Sequence, residues 1–97
     1  MVTKKVNYNN TGISQLPNDK PVLYRIESEG GSLNYAGVAQ RSRVQDRIKE
    51  HLGEIPGAKV RIEQFSSINE AREKEARVIK INKPKYNEQN KQSLPIF

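Results

Sequence analysis

A pair of glycines, Gly30 and Gly31, separates two short segments in which apolar and polar residues alternate. The first segment covers residues 21–27 and the second covers residues 33–38. Alternation with a period of two is typical of β-strands, and glycine reaches positive φ in a tight turn without steric cost. The sequence therefore predicts a β-hairpin, a constraint that every fold for this chain has to satisfy.

The register of this hairpin brings two tyrosines to one side. A turn centred on the glycine pair places Tyr24 opposite Gly37, and the same register places Glu27 opposite Asn34. Because side chains alternate between the two faces of a strand, Tyr24 and Tyr35 are then expected on the same face of the hairpin.

A helix and a third strand should follow the hairpin. Ser42 and Gln45 have the spacing of a capping box, which predicts a helix start. The helix has a buried stripe formed by Val44, Ile48 and Leu52. Gly53 is placed to end this helix. Residues 58–65 alternate again and predict a strand.

The second predicted helix carries a carboxylate on its apolar face. Ser67 and Glu70 form another capping box, and the helix should run to about residue 83, before Pro84. One face of this helix combines Ile68, Ala71, Glu75, Val78 and Ile79. Burying an unpaired charge costs several kcal/mol, so we expect a cation beside Glu75.

These elements predict an α+β fold in the order β-β-α-β-α, with a three-stranded antiparallel sheet flanked by helices. Residues 1–20 are polar and show little periodicity, so we expect an N-terminal arm that is partly flexible. Residues 21–87 form the predicted domain, and residues 88–97 form a C-terminal tail. No apolar run approaches the length of a membrane span, so we expect no membrane partner and a cytoplasmic location by default.

Composition restricts the function classes. The 97 residues include 17 Lys and Arg against 11 Asp and Glu, a net charge of +6 that favours polyanionic partners such as nucleic acid. The chain has no cysteine and one histidine, which excludes disulfides, thiolate metal sites and zinc sites built from histidine clusters.

Three features combine into a candidate site. Two tyrosines share a hairpin face, Arg47 and His51 lie four residues apart beside the buried stripe of a helix, and Glu75 occupies an apolar helix face. Each feature alone has a structural explanation: packed sheet residues, a solvated helix face, or a salt bridge between Glu75 and Arg47. Together they supply what phosphodiester hydrolysis requires, namely groups that activate water, bind phosphate and hold a divalent metal.

The same residues resemble the motifs of the GIY-YIG nuclease family. Val-Leu-Tyr at 22–24 stands where the family has Gly-Ile-Tyr, and Tyr-Ala-Gly at 35–37 is similar to Tyr-Ile-Gly. The segment 47–51, from arginine to histidine, resembles the family's Arg followed four residues later by His or Tyr. The segment 75–80 resembles the metal-binding Glu and the run after it, and Pro-Lys-Tyr-Asn at 84–87 resembles the terminal Pro-x-Tyr-Asn. The motifs span residues 21–87 in the family's order.

Some positions depart from these motifs. Val38 stands where the family often has Lys, and Arg41 or Arg43 would supply that positive charge to nucleic acid. The gap from Tyr35 to Arg47 is about two residues longer than is usual in the family, so Arg43 is the alternative to Arg47.

The resemblance implies a site with defined roles. Glu75 would bind Mg²⁺, with Mn²⁺ as the alternative, and Arg47 would pair with the scissile phosphate. Tyr24 would orient or deprotonate the attacking water, with Tyr35 and His51 as helpers, although the sequence leaves open which tyrosine is the base. Asn87 would brace the site by hydrogen bonding.

The implied activity is endonucleolytic cleavage of nucleic acid, with DNA favoured over RNA although the sequence itself does not decide between them. Selectivity would come from the core, the arm, a homo-oligomer or a specificity partner. Two alternatives stay open: a catalytically inactive nucleic-acid-binding module of the same fold, and a structural domain built around an ion pair of Glu75 with Arg47.

Overall fold

The computed structural model describes residues 3–87 and has an α+β fold, as predicted. The strands within this range are β1 (Thr3–Asn7), β2 (Val22–Glu27), β3 (Leu33–Ala39) and β4 (Lys59–Gln64). The helices in the same range are α1 (Asn10–Ile13), α2 (Val44–Glu50) and α3 (Ile68–Asn82). The predicted tail at 88–97 lies outside the described residues.

The sheet has four antiparallel strands in the order β1-β4-β2-β3, so the prediction of three strands was wrong. The additional strand is β1, which lies within the segment that the sequence assigned to an arm. Val6 is the single buried residue of β1, and it pairs with Val60 of β4. Because β1 is held mainly by backbone hydrogen bonds to β4, its sequence shows little of the apolar alternation from which a strand is predicted.

Residues that follow β1 also pack into the core, which corrects the expectation of an arm over residues 1–20. Asn9 caps α1, because its Oδ1 accepts a hydrogen bond from the backbone N–H of Gly12 at 2.7 Å. Ile13 and Leu16 are buried. The folded domain therefore begins before residue 21.

The hairpin of β2 and β3 has the predicted face assignment and one unpredicted irregularity. Tyr24 lies opposite Gly37, as expected, and Gly31 adopts a φ of 93° in the turn. Glu27 lies opposite Leu33 rather than Asn34, because the register shifts between Ile26 and Glu27. Such a shift is typical of a β-bulge, which adds one residue to one strand of a pair.

The start of α2 differs from the predicted capping box. Arg43 is the N-cap residue and makes no side-chain cap hydrogen bond, while Ser42 adopts a φ of 73°. The backbone N–H of Gln45 donates instead to Asn18 Oδ1 at 3.1 Å. A loop distant in sequence thus supplies the cap that a local serine was expected to provide.

The remaining elements agree with the sequence. β4 lies within the predicted strand 58–65, and Ser67 caps α3 by accepting a hydrogen bond from the backbone N–H of Glu70 at 3.3 Å. Lys83 ends this helix with a φ of 46°, directly before the buried Pro84.

The two faces of the sheet pack against different elements. The tyrosine face, defined by Val22, Tyr24 and Ile26 of β2, forms the main core with residues from α1 and α2. The α3 face, defined by Leu23 of β2 and Ala36 of β3, packs against Val78 of α3. None of the helices described between residues 3 and 87 is long and apolar enough to span a membrane.

Candidate active site

Two tyrosines from neighbouring strands meet on the tyrosine face. Tyr24 of β2 is completely buried, while Tyr35 of β3 is half-buried. Their ring centroids are 6.1 Å apart, at an interplanar angle of 31°. The expectation that the two side chains share a face is therefore confirmed, and the half-buried ring is the one nearer to solvent.

His51 joins the two tyrosines from the end of α2. Its Nε2 lies 2.7 Å from the Tyr24 hydroxyl oxygen, a hydrogen bond whose donor depends on the histidine tautomer. The His51 ring centroid is 4.7 Å from that of Tyr35 and 5.7 Å from that of Tyr24. The buried Nδ1 of His51 has no hydrogen-bond partner within residues 3–87. We call Tyr24, Tyr35 and His51 the tyrosine–histidine cluster.

Gly37 makes this cluster sterically feasible, a role that was not among the expectations from the sequence. A Cβ atom at Gly37 would lie 2.6 Å from the Tyr24 hydroxyl oxygen and 3.0 Å from Tyr35 Cε2. Any other residue would displace one of these rings. The signal was available in the sequence, since a glycine inside a strand often marks a close approach by another group.

Burial keeps both hydrogen-bonded partners of the cluster neutral. Burial raises the pKa of Tyr24 far above its usual value, and the neighbouring Tyr35 raises it further, while the charge of Arg47 lowers it. Burial lowers the pKa of His51 below 6.5, and Arg47 adds to this effect. At neutral pH the cluster therefore contains a protonated tyrosine and an uncharged imidazole.

Arg47 lies at the margin of the cluster. Its side chain, on α2, is 46% exposed and pairs with Glu50 at 3.4 Å. Arg47 is also the arginine whose charge acts on both Tyr24 and His51. It is therefore better placed than Arg43, the alternative, to hold an anion next to these rings.

The other two candidate arginines precede the body of α2. Arg43 is the N-cap residue, and Arg41 lies in the turn between β3 and α2. Both are exposed. They extend the positive charge around the N-terminal end of α2, outside the tyrosine–histidine cluster.

Glu75 lies on α3 and is half-buried. Burial raises the pKa of its carboxyl group, against an opposing effect of Arg72, and the Glu75 charge in turn raises the pKa of Tyr24. The predicted apolar face of α3 is confirmed, since Ala71 and Val78 on either side of Glu75 are buried. Although α3 packs on the opposite face of the sheet, its carboxylate is within electrostatic reach of the cluster.

The expected cation beside Glu75 is not an ion-pair partner from residues 3–87. Within that range Glu75 forms neither a hydrogen bond nor an ion pair, and Arg47 pairs with Glu50. A half-buried carboxylate without a partner among the described residues fits a Mg²⁺ ion, which commonly takes one or two carboxylates and completes its shell with water and phosphate oxygens. No group of three or more acidic, histidine or cysteine side chains is positioned to hold a metal in the described part of the chain.

Asn87 supports the edge strand that carries Tyr35. Its Oδ1 accepts a hydrogen bond from the backbone N–H of Ala36 at 2.7 Å, and its Nδ2 donates to the carbonyl of Ala36 at 2.8 Å. The amide thus pairs with both backbone groups of the residue between Tyr35 and Gly37. This contact fixes the backbone position of the strand segment from Tyr35 to Gly37 on the tyrosine face.

The structure accordingly brings Tyr24, Tyr35 and His51 into direct contact. The charges of Arg47 and Glu75 act on this cluster, and Asn87 is connected to it through the backbone of β3. No protein-family model matches the sequence, and no curated protein matches it either.

Proposed function

We propose that this chain is a metal-dependent endonuclease of the GIY-YIG type that hydrolyses phosphodiester bonds, in DNA rather than RNA. The observation that carries the proposal is the hydrogen-bonded pair of Tyr24 and His51, with Tyr35 against the same imidazole. These residues come from three different elements, and each occupies a position at which the sequence resembles a family motif. The element order β2-β3-α2-β4-α3 also supports the proposal, because it is both the order predicted from the sequence and the known order of the GIY-YIG family.

The substrate phosphate is assigned to the arginines of α2. Arg47 is exposed on the side of the cluster and offers a planar guanidinium that pairs with two phosphate oxygens. Arg43 and Arg41 would contact neighbouring phosphates of the backbone. A net charge of +6 would increase the encounter rate with a polyanion and make the affinity fall with added salt.

Glu75 is assigned to a divalent cation, Mg²⁺ or Mn²⁺. The cation, when bound, supplies positive charge that offsets the charge developing on the phosphate. Because the carboxyl group must be ionised to bind a metal, its raised pKa predicts weak metal binding at acidic pH. The positive charge of a cation would also lower the pKa of Tyr24, opposite to the effect of Glu75 alone.

The tyrosine–histidine cluster is assigned to water activation. With Nε2 of His51 donating its hydrogen bond to the Tyr24 oxygen, Nδ1 keeps a free lone pair. Because this atom is buried in the free protein, it can accept a proton from water only in a substrate-bound state that admits a water molecule to the ring. The water oxygen then bonds to phosphorus as the bond to the leaving oxygen breaks, and the half-buried Tyr35 can donate a hydrogen bond to one of these oxygens. Tyr24, being completely buried, orients the imidazole and does not itself reach bulk water.

A plasmid-nicking assay with Mg²⁺ or Mn²⁺ tests this function. We expect the wild-type chain to convert supercoiled plasmid to nicked circles and the Glu75→Ala variant to be inactive. Glu73→Ala, which removes an exposed carboxylate two residues away on the same helix, should cut like the wild type. Absence of cleavage, or equal cleavage by Glu75→Ala, would refute the proposal.

The second candidate is a catalytically inactive nucleic-acid-binding module of the same fold. The complete burial of Tyr24 favours it, because a phenol without solvent access can also serve as a packing element. Salt-dependent DNA binding without cleavage by the wild type would select this candidate.

A further inference from the structure

One carboxylate bridges two of the arginines on α2. Glu50 Oε1 lies 3.4 Å from Arg47 Nη1, and Glu50 Oε2 lies 3.9 Å from Arg43 Nη2. Asp46, the other acidic residue of this helix surface, pairs with Arg43 alone, at 3.8 Å. Glu50 is therefore the acidic residue of α2 that contacts both guanidinium groups.

Carboxylate and phosphate present similar ligands to arginine. Each offers two oxygens in the spacing that a guanidinium recognises, so they compete for the same donors. The side chains of Arg43, Arg47 and Glu50 are all about half exposed, at 56%, 46% and 54%. Exposed pairs of this kind contribute little stability, and an incoming anion can exchange with the carboxylate at small cost.

We propose that Glu50 occupies the phosphate-binding position of Arg43 and Arg47 in the free protein, as an internal competitor that a substrate phosphate has to displace. This inference deepens the proposed nuclease function and rests on its assignment of these arginines to phosphate. It makes Glu50 a specificity-determining residue. A single small anion obtains too little binding free energy to displace the carboxylate. A nucleic-acid backbone obtains more, because several phosphates bind together and counterions are released.

The position of Glu50 relative to the tyrosine–histidine cluster supports this role. Its negative charge acts on both Tyr24 and His51, so the carboxylate lies within the electrostatic environment of the site. Displacement by phosphate would replace one anion by another at this position. The two arginines would thus remain paired throughout binding.

Pyrophosphate binding to the isotope-labelled protein tests the inference without any cleavage step. We expect Glu50→Gln to bind pyrophosphate about fivefold more tightly than the wild type at low ionic strength, as removal of one charge at about 4 Å in water predicts. The gain should disappear near 1 M salt, where the screening length is about 3 Å. NMR shifts of the arginine side-chain N–H groups report the binding directly.

Two variants with the same change in net charge serve as controls. Asp46→Asn, at a residue that contacts Arg43 alone, should produce a smaller gain, and Glu29→Gln, in the exposed hairpin turn, should produce none. Equal affinity of Glu50→Gln and Glu29→Gln would overturn the inference, because the effect would then reflect net charge alone. Weaker binding by Glu50→Gln would also overturn it, by indicating that the carboxylate positions the arginines for phosphate.

Failure of the inference is distinguishable from failure of the nuclease proposal. If the wild type cuts plasmid but Glu50→Gln shows no selective increase in pyrophosphate affinity, the nuclease function stands and the role of Glu50 as a competitor is refuted. If the wild type does not cut but Glu50→Gln gains pyrophosphate affinity selectively, the role of Glu50 stands and the nuclease proposal is refuted. In an active chain, Glu50→Gln should lower KM for DNA more than it changes kcat.

Discussion

The carboxylates of the sheet strands and the polar groups of the candidate site differ in how far pairing compensates for their burial. On the α3 face, Glu27 and Glu63 are 5% and 4% exposed, yet each contacts two cationic side chains. Glu27 pairs with Arg61 at 2.7 Å and with Lys5 at 3.1 Å. Glu63 pairs with Lys74 at 2.9 Å and with Arg25 at 3.5 Å. Deep burial of both carboxylates is therefore matched by full pairing.

The polar groups of the candidate site are less buried and less satisfied. Glu75 is half-buried without a partner among residues 3–87, and His51 has a buried Nδ1 without one in the same range. Burial shifts the pKa of both groups toward the neutral form. The lack of partners for Glu75 and His51 Nδ1 among the described residues therefore contrasts with the two ion pairs that each of the more deeply buried carboxylates, Glu27 and Glu63, makes in the same fold.

The difference separates structural charges from candidate functional ones. Paired carboxylates contribute to the native state and lose their partners only at high cost. Unpaired, partly desolvated groups cost stability in the free protein and are typical of sites that bind a ligand or transfer a proton. Substitutions of the paired strand carboxylates and of the site residue Glu75 should therefore have opposite consequences for stability and activity.

The largest expected effect is on stability, at the paired strand carboxylate Glu63. Glu63→Gln leaves Arg25 and Lys74 without their partner and should reduce the free energy of unfolding by about 3 kcal/mol. Glu75→Gln makes the same chemical change at a residue that has no ion pair within positions 3–87, and it should leave stability nearly unchanged while abolishing cleavage. Chemical denaturation of both variants measures the contrast, and an equal loss of stability would break the comparison.

The close approach at Gly37 should give the next largest effect. Gly37→Ala forces a Cβ against Tyr24 and should destabilise the protein by about 2 kcal/mol while disrupting the hydrogen bond to His51. Gly30→Ala is the matched control, because a Cβ there meets no atom within 4 Å. Denaturation curves and the NMR signals of His51 report both effects, and equal stability of the two variants would argue against tight packing at the cluster.

Loss of the Asn87 amide should be milder. Asn87→Ala removes two hydrogen bonds to Ala36 and should cost about 1 kcal/mol in stability, because water can replace part of the pairing. Activity should fall as well, since the backbone between Tyr35 and Gly37 loses its support. Asn82→Ala, at the exposed end of α3, provides the control. A stable but inactive Asn87→Ala variant would instead assign Asn87 a direct role in the reaction.

Metal binding should stabilise the protein only through Glu75, which has no ion pair within residues 3–87. At ten times its Kd, Mg²⁺ should stabilise the wild type by about 1.4 kcal/mol and should leave Glu75→Gln unaffected. Thermal unfolding at constant ionic strength measures this, with Glu73→Gln as the control that keeps the response. Equal stabilisation of Glu75→Gln would place the cation elsewhere.

The smallest effects concern pH. The raised pKa of Glu75 means that stability is lost as pH rises from 4.5 through the pKa of the folded protein, because ionisation is less favourable in the native state. The lowered pKa of His51 has the opposite consequence, since stability is lost as pH falls from 6.5 toward the pKa of the folded protein. Denaturation between pH 4 and 8 should show the first slope in the wild type and not in Glu75→Gln.

Local sequence patterns were sufficient to predict that residues 21–87 contain the strands β2, β3 and β4 and the helices α2 and α3. The ends of α2 differ from the prediction, with Arg43 and His51 as its caps in place of Ser42 and Gly53. The glycine turn, the alternation in β2, β3 and β4, and the Ser67 cap all act between residues close in sequence. The same patterns identified the common face of Tyr24 and Tyr35 and the apolar side of α3 that carries Glu75. A side-chain period is a local property, so it predicts which residues share a face.

Contacts between distant segments were not accessible in this way. β1 depends on pairing with β4, and the cap of α2 depends on Asn18, more than 20 residues earlier in the chain. Neither partner leaves a periodic signal, because a backbone ladder and a single side-chain oxygen need no apolar pattern. The same reason explains why the four-stranded sheet was missed.

The sequence by itself determined where the chain can extend, turn and coil, and which candidate residues face the same side of each element. Only the tertiary structure decided which of them meet: the hydrogen bond between Tyr24 and His51, the need for glycine at position 37, and the two hydrogen bonds between Asn87 and Ala36. The physical reason is that periodicity fixes directions along an element, whereas distances between elements depend on how whole faces pack together.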